Sequence, residues 1–105
     1  MSLFSRRPSF QEGLETFQKT PGAVLLDVRT REEYREGHIP GSVNIPLDAL
    51  DDAEKNISDK ETPIFVYCHS GGRSAHAKHY LNQMGYHAVT NIGGIMSYRG
   101  QVERG

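Results

Sequence analysis

Hydrophobic and polar positions along the chain alternate between helical and strand periods. SFQEGLETFQK (9–19) repeats Phe10, Leu14 and Phe17 at helical spacing, Ser9 and Glu12 form a capping box, and Pro21-Gly22 ends the segment. AVLLDV (23–28) is a short unbroken apolar run between turn residues, which predicts a strand buried on both faces of a parallel sheet. Thr30 offers an N-cap for REEYREG, with Glu33 at the third position and Gly37 as a stop. HIPGSVNIP (38–46) predicts a turn and a short strand bracketed by prolines. In LDALDDAEKNI (47–57), Leu47, Leu50, Ala53 or Glu54, and Ile57 predict one amphipathic helix, with Asp51 and Asp52 on its solvated side. PIFVYC (63–68) is the most apolar run and the expected central strand. RSAHAKHYLNQM then predicts a helix closed by a left-handed Gly85, and HAVTNI (87–92) the last strand.

This order predicts an α/β fold, a parallel sheet covered by helices on both faces, with ligands at the carboxyl ends of the strands. Cys68 stands at such an end. The chain has 105 residues, 36% hydrophobic and 24% charged, which fits one unit spanning 1–105. Twelve Lys and Arg against 13 Asp and Glu leave a formal charge of -1, with no broad attraction for nucleic acid or an anionic membrane. No stretch approaches the roughly 20 apolar residues of a membrane span, and MSLFSRRPSFQEG lacks the apolar core of a signal peptide, so the expected location is cytoplasmic. With one cysteine no intramolecular disulfide forms, and Cys68 serves packing or chemistry.

The loop CHSGGRS favours chemistry. Gly71 and Gly72 accept unusual dihedrals, so backbone amides can turn inward as a nest of donors at the start of the next helix. Such a field favours a thiolate, a persulfide or an oxyanion, and lowers a thiol pKa from its reference of about 8.5. Arg73 stands at the far lip with forked donors for an oxyanion, and Ser74 or Ser70 can add a hydrogen bond. The plainer alternative is a packed strand-end cysteine, an ordinary turn and a surface arginine; the glycine pair together with Arg73 weighs against it. A tyrosine-phosphatase-type loop has five residues between Cys and Arg, whereas here His69, Ser70, Gly71 and Gly72 make four. The smaller ring suits one added sulfur atom better than a phosphoryl group.

From about Ala23 to Gly100 the sequence resembles the single-domain rhodanese family of sulfurtransferases. LLDVRTREEYREGHIPGSVNIP resembles its N-terminal signature, YCHSGGRSAHAKHYLNQMGY its Cys-x-x-Gly-x-Arg loop and following helix, and NIGGIMSYRG its C-terminal Gly-Gly and aromatic. The resemblance implies a rhodanese-like sheet of five parallel strands, a catalytic Cys68, and amides of residues 69–73 that hold the transferred sulfur. Asp27 and Arg29 are implied to buttress the site. The implied reaction moves a sulfane sulfur from thiosulfate or a persulfide, through a Cys68 persulfide, to cyanide or a thiol, with a protein as donor or acceptor left open and no cofactor or metal required. The rival reading is a non-catalytic module that binds a protein or senses sulfide. Two departures stand out: Tyr98 occupies the place of the family's usual Trp, and the usual extra N-terminal strand is not visible before Ser9.

Cys68, His69, His76 and His79 invite a zinc reading, but His76 lies beyond the first helical turn and no second cysteine helps. A solvated helix face is the expectation for His76 and His79. His69 stays open between a cation that lowers the Cys68 pKa or attracts a sulfonate, and a solvent-facing residue that shapes the entrance. Met96 and Tyr98 are candidates for the rim or for core packing.

Overall fold

Three apolar strands run side by side because their alternate residues feed two different cores. The computed structural model describes residues 9–105. Strands β1 (Val24–Asp27), β2 (Ser42–Asn44), β3 (Ile64–Cys68) and β4 (Val89–Gly94) form a parallel sheet of order β2-β1-β3-β4. Every residue of β3 is buried, as its run of apolar side chains requires of a central strand. The described residues thus hold four strands where five are expected, and the expected extra N-terminal strand lies outside them.

Helix α1 (Phe10–Lys19) precedes β1, and α2 (Arg31–Glu36), α3 (Ala53–Asn56) and α4 (Gly72–Gln83) lie between successive strands. On one face, Leu26, Val28, Val66 and Cys68 pack with Leu50, Ala53, Ala77 and Leu81. On the other, Leu25, Phe65 and Tyr67 pack with Phe10 and Leu14 of α1, and Phe17 adds a ring edge against Phe65. Each Val, Leu or Phe side chain among these contributes about 1.5–3 kcal/mol when removed from water. The capping boxes at Ser9–Glu12 and Thr30–Glu33 form in full. Gly85 takes φ +105° beyond α4, the left-handed conformation its position predicts.

Two expectations change. Residues 47–57 are not one helix: a 3-10 segment runs Leu47–Asp52, breaks at Ala49, and passes into the single turn of α3. Leu47, Leu50 and Ala53 recur every third residue, which matches a helix of three residues per turn, and Leu50 and Ala53 are buried by it. Only Gly71 of the loop pair has a positive φ, +112°; Gly72 begins α4 with ordinary dihedrals and open space around it. No helix among the described residues is long and apolar enough to cross a membrane.

Candidate active site

The carboxyl ends of β1, β3 and β4 place Asp27, Cys68 and Gly94 side by side, in the pairs Asp27 with Tyr67 and Cys68 with Gly94. Cys68 is 1% exposed and its sulfur faces the α4 side of the sheet, among Val28, Ala77 and neighbouring apolar groups. The chain then turns back over it. Gly71, left-handed, directs its N–H at Sγ from 3.0 Å, and the Ser74 N–H does so from 3.3 Å in the first turn of α4. The Ser74 hydroxyl lies 3.4 Å from the same sulfur. The amide of Ser74 falls just beyond the span 69–73 that the sequence implies.

This shell decides the ionisation of the thiol. Burial pushes the Cys68 pKa up, but the Ser74 hydroxyl and the amides of Ser74, Gly71 and Ser70 outweigh it, and the net shift is downward. A thiolate here therefore forms more readily than in a free cysteine.

The Gly-Gly pair of β4 lets the loop sit this close to the sheet. A Cβ built on Gly94 would fall 2.5 Å from Cα of Ser70 and 2.6 Å from the carbonyl carbon of His69. Gly93 takes φ +104° beside it, at the irregularity in the pairing of β3 with β4. The Met96 N–H donates to His69 O at 3.1 Å, tying the segment after β4 to the loop.

Arg73 does not stand free at the lip. Its Nη1 and Nη2 donate to Oε1 and Oε2 of Glu33 at 2.8 and 3.0 Å, a two-pronged pair that joins α4 to α2. Glu33 also accepts from the Thr30 amide at 3.0 Å as the closing member of its capping box. The Arg73 bonds are the largest cause of a Glu33 pKa lowered to about 2; burial opposes them and the Thr30 bonds assist. Glu33 is a site residue that sequence reasoning assigns only to a helix cap; its position opposite Arg73 depends on a contact forty residues away.

Asp27 and Arg29 form a buried ion pair at the end of β1. Arg29 Nε donates to Asp27 Oδ1 and Oδ2 at 3.1 Å each, and Nη2 donates to Oδ2 at 2.8 Å; Asp27 is 0% and Arg29 5% exposed. Arg29 Nη2 also donates to Gly37 O at 2.7 Å, and Asn44 Nδ2 donates to the carbonyls of Asp27 and Arg29. The pair fastens the end of β1 to the turn after α2. It braces the scaffold and makes no hydrogen bond to Cys68.

His69, His76 and His79 are exposed, and the described residues hold no cluster of three His, Cys, Asp or Glu side chains able to take a metal ion. Ser70 is exposed at the loop tip, where it lines the edge of a cleft of about 550 Å³ on the α1 side. That cleft is larger than the groove of about 220 Å³ beside Arg73, yet the sulfur faces away from it, so volume alone does not mark the side of the thiol. Met96 is 65% exposed near the rim, while Tyr98 packs edge-on to Phe10 with centroids 6.1 Å apart. Sequence reasoning also misses Asn91, whose side chain meets Ser74 below the loop.

Comparison with known proteins agrees with this fold. The Rhodanese-like domain family matches residues 10–101. The thiosulfate sulfurtransferase PspE of Escherichia coli strain K12 is 39% identical over 71 residues, covering 67% of this chain and 68% of PspE. The putative sulfur carrier protein YrkF of Bacillus subtilis strain 168 is 36% identical over 80 residues, 75% of this chain and 43% of that longer protein. A rhodanese-like domain protein of Staphylococcus aureus superposes with a TM-score of 0.81 at 28% identity, covering 95% of this chain and 98% of that one. The chain belongs to the rhodanese-like domain family.

Proposed function

We propose that the chain is a sulfurtransferase that moves a sulfane sulfur from thiosulfate or a persulfide donor to cyanide or a thiol acceptor through a Cys68 persulfide. The observation that carries this reading is a single sulfur held by two N–H groups, from Gly71 at 3.0 Å and Ser74 at 3.3 Å, with a hydroxyl beside it. In the first half-reaction the Cys68 thiolate attacks the outer sulfur of thiosulfate; the S–S bond breaks, and sulfite leaves with the bonding pair. The product is a persulfide anion on Cys68. In the second, the acceptor attacks the outer sulfur, thiocyanate or a new persulfide forms, and the electron pair returns to Cys68. No external electron donor and no cofactor or metal enters this cycle.

The shell of donors stabilises negative charge in a site from which water is largely excluded. Arg73, neutralised by Glu33, braces the loop and sets its lip, and its positive charge is only in part available to an anionic donor. Asp27 and Arg29 support the neighbouring strand end. The names of related proteins, a thiosulfate sulfurtransferase and a putative sulfur carrier protein, support sulfur donors and acceptors as the partners. A cytoplasmic setting suits the reading, because thiols there stay reduced.

Intact mass of the reduced protein after brief thiosulfate exposure tests it. One added sulfur on the wild type, removed by cyanide as thiocyanate and absent from Cys68→Ser, is the expected result. No uptake from thiosulfate or from a small-molecule persulfide would leave a non-catalytic module as the better reading.

A further inference from the structure

We propose that Asn91, on β4, is a positioning residue for this reaction: its side-chain carbonyl holds the Ser74 hydroxyl beside Cys68, and the hydroxyl turns to sulfur whenever sulfur carries charge. The inference rests on the sulfur-transfer reading and is tested on the thiol itself. Ser74 is 0% and Asn91 8% exposed, so neither has water to satisfy it freely. Ser74 Oγ lies 2.8 Å from Asn91 Oδ1, 3.1 Å from Gly71 O, and 3.4 Å from both Gly93 O and Cys68 Sγ.

A hydroxyl has one proton to give and two lone pairs to receive with. With Cys68 as a thiol, its S–H donates to Ser74 Oγ, and Ser74 donates to its nearest acceptor, Asn91 Oδ1. Once the thiol proton is lost to water, sulfur has no hydrogen to offer and becomes an acceptor, so the hydroxyl turns and donates to it. Asn91 Oδ1 is not orphaned by that turn, because it keeps the Gly93 N–H at 3.0 Å. The exchange gives up one neutral hydrogen bond for one to a charged atom, the stronger kind.

The same rotor follows the sulfur through the cycle. In the persulfide the charge sits on the outer sulfur, Sγ is a weak acceptor, and the hydroxyl returns to Asn91. When the acceptor takes the outer sulfur, the S–S bond breaks toward Sγ and the hydroxyl turns to the departing thiolate. Its donor is thus offered when charge develops on Sγ, which lowers the barrier to that step. A neutral amide carbonyl suits the task; a carboxylate in its place would retain the hydroxyl and set a second negative charge close to sulfur. The charged groups about the loop are Arg73 with Glu33, and Asp27 with Arg29, while His69 is exposed; none of these hydrogen-bonds Ser74 or Asn91.

The test is the rate of iodoacetamide alkylation of Cys68 against pH, read by intact mass, in wild type, Asn91→Ala, Ser74→Ala and the double alanine variant. Ser74→Ala, which removes the donor to the thiolate, is expected to raise the thiol pKa by about one unit, with roughly tenfold slower alkylation below it, whereas Asn91→Ala, which removes the acceptor that holds the hydroxyl while sulfur is neutral, is expected to lower it by about one unit. The double variant should match Ser74→Ala, because Asn91 then has no hydroxyl to hold. An unchanged or raised pKa in Asn91→Ala overturns the proposal, as does an equal fall with and without Ser74, which would mean that Asn91 acts through the backbone at Gly93. If Asn91→Ala does not fold, Asn91→Asp keeps both accepted bonds and takes its place; its rise in pKa should be larger with Ser74 present than without. Coupling between Asn91 and Ser74 in a protein that never takes up sulfur would remove the transfer reading alone. Sulfur uptake without that coupling would remove this proposal alone.

Discussion

Replacing Gly94 by alanine asks whether the close seat of the loop on β4 is required for chemistry. The new Cβ would lie 2.5 Å from Ser70 Cα and 2.6 Å from the His69 carbonyl carbon, where ordinary contacts begin at 3.4 Å. The obstructing atoms are backbone, so no side chain can swing aside, and loop or strand must move by roughly 1 Å. Overpacking of this kind costs about 1–3 kcal/mol. For a chain of this length that lowers the midpoint of thermal unfolding by about 4–12 °C. The same displacement moves the Gly71 and Ser74 amides relative to Sγ. A misplacement of about 1 Å in a reacting group can reduce rate by roughly 100-fold, and the loss should fall on persulfide formation. The assays are circular dichroism during heating and single-turnover sulfur uptake from thiosulfate by intact mass at a temperature where the variant is folded. A folded Gly94→Ala protein that takes up sulfur at the wild-type rate would refute the reasoning, because the loop would then tolerate displacement or would never have been clamped.

Cys68→Ala should abolish sulfur uptake and leave the circular dichroism spectrum unchanged; residual cyanide-labile sulfur on that variant would point to another acceptor atom. Asp27→Asn leaves Arg29 buried without its counter-charge, an expected loss of about 3–5 kcal/mol visible as a lower urea midpoint, and an unchanged midpoint would contradict the bracing role. Glu33→Gln and Arg73→Ala should show non-additive effects on stability, with a coupling of about 0.2–1 kcal/mol for this half-exposed pair, measured by a double-mutant cycle in urea. Because folding lowers the Glu33 pKa from 4.5 to about 2, the advantage of wild type over Glu33→Gln is full above pH 4.5 and disappears as pH falls toward 2. Urea midpoints of both proteins across that range check it, and a difference that disappears instead between pH 7 and 5 would count against it.

Elements whose burial is decided locally were legible in the sequence. The apolar runs AVLLDV and PIFVYC became neighbouring strands, and both capping boxes formed, since a cap needs only residues three apart. The segment 47–57 was misjudged because periods of 3.0 and 3.6 coincide over two turns, and only the core chose between them. Cys68, Gly71 and Ser74 could be grouped from one loop. Glu33 and Asn91 could not, since each reaches the site through the register of distant elements, and each also has a local task that conceals the distant one.

The sheet keeps two accounts of apolar contact separate, one on each side. The Cys68 sulfur belongs wholly to the α4 side, whereas α1 is fastened to the other through Phe10, Leu14 and Phe17. Fluorescent labels, affinity handles or surface-charge redesign placed on the outer positions of α1, such as Glu15 or Lys19, therefore have the thickness of a β-sheet between them and the thiol. Hydrogen exchange offers the matching view: opening of α1 alone would expose amides on its own side and leave the protection of β3 and the loop donors in place. The domain is thereby a platform with one face free for engineering and one that holds the thiol.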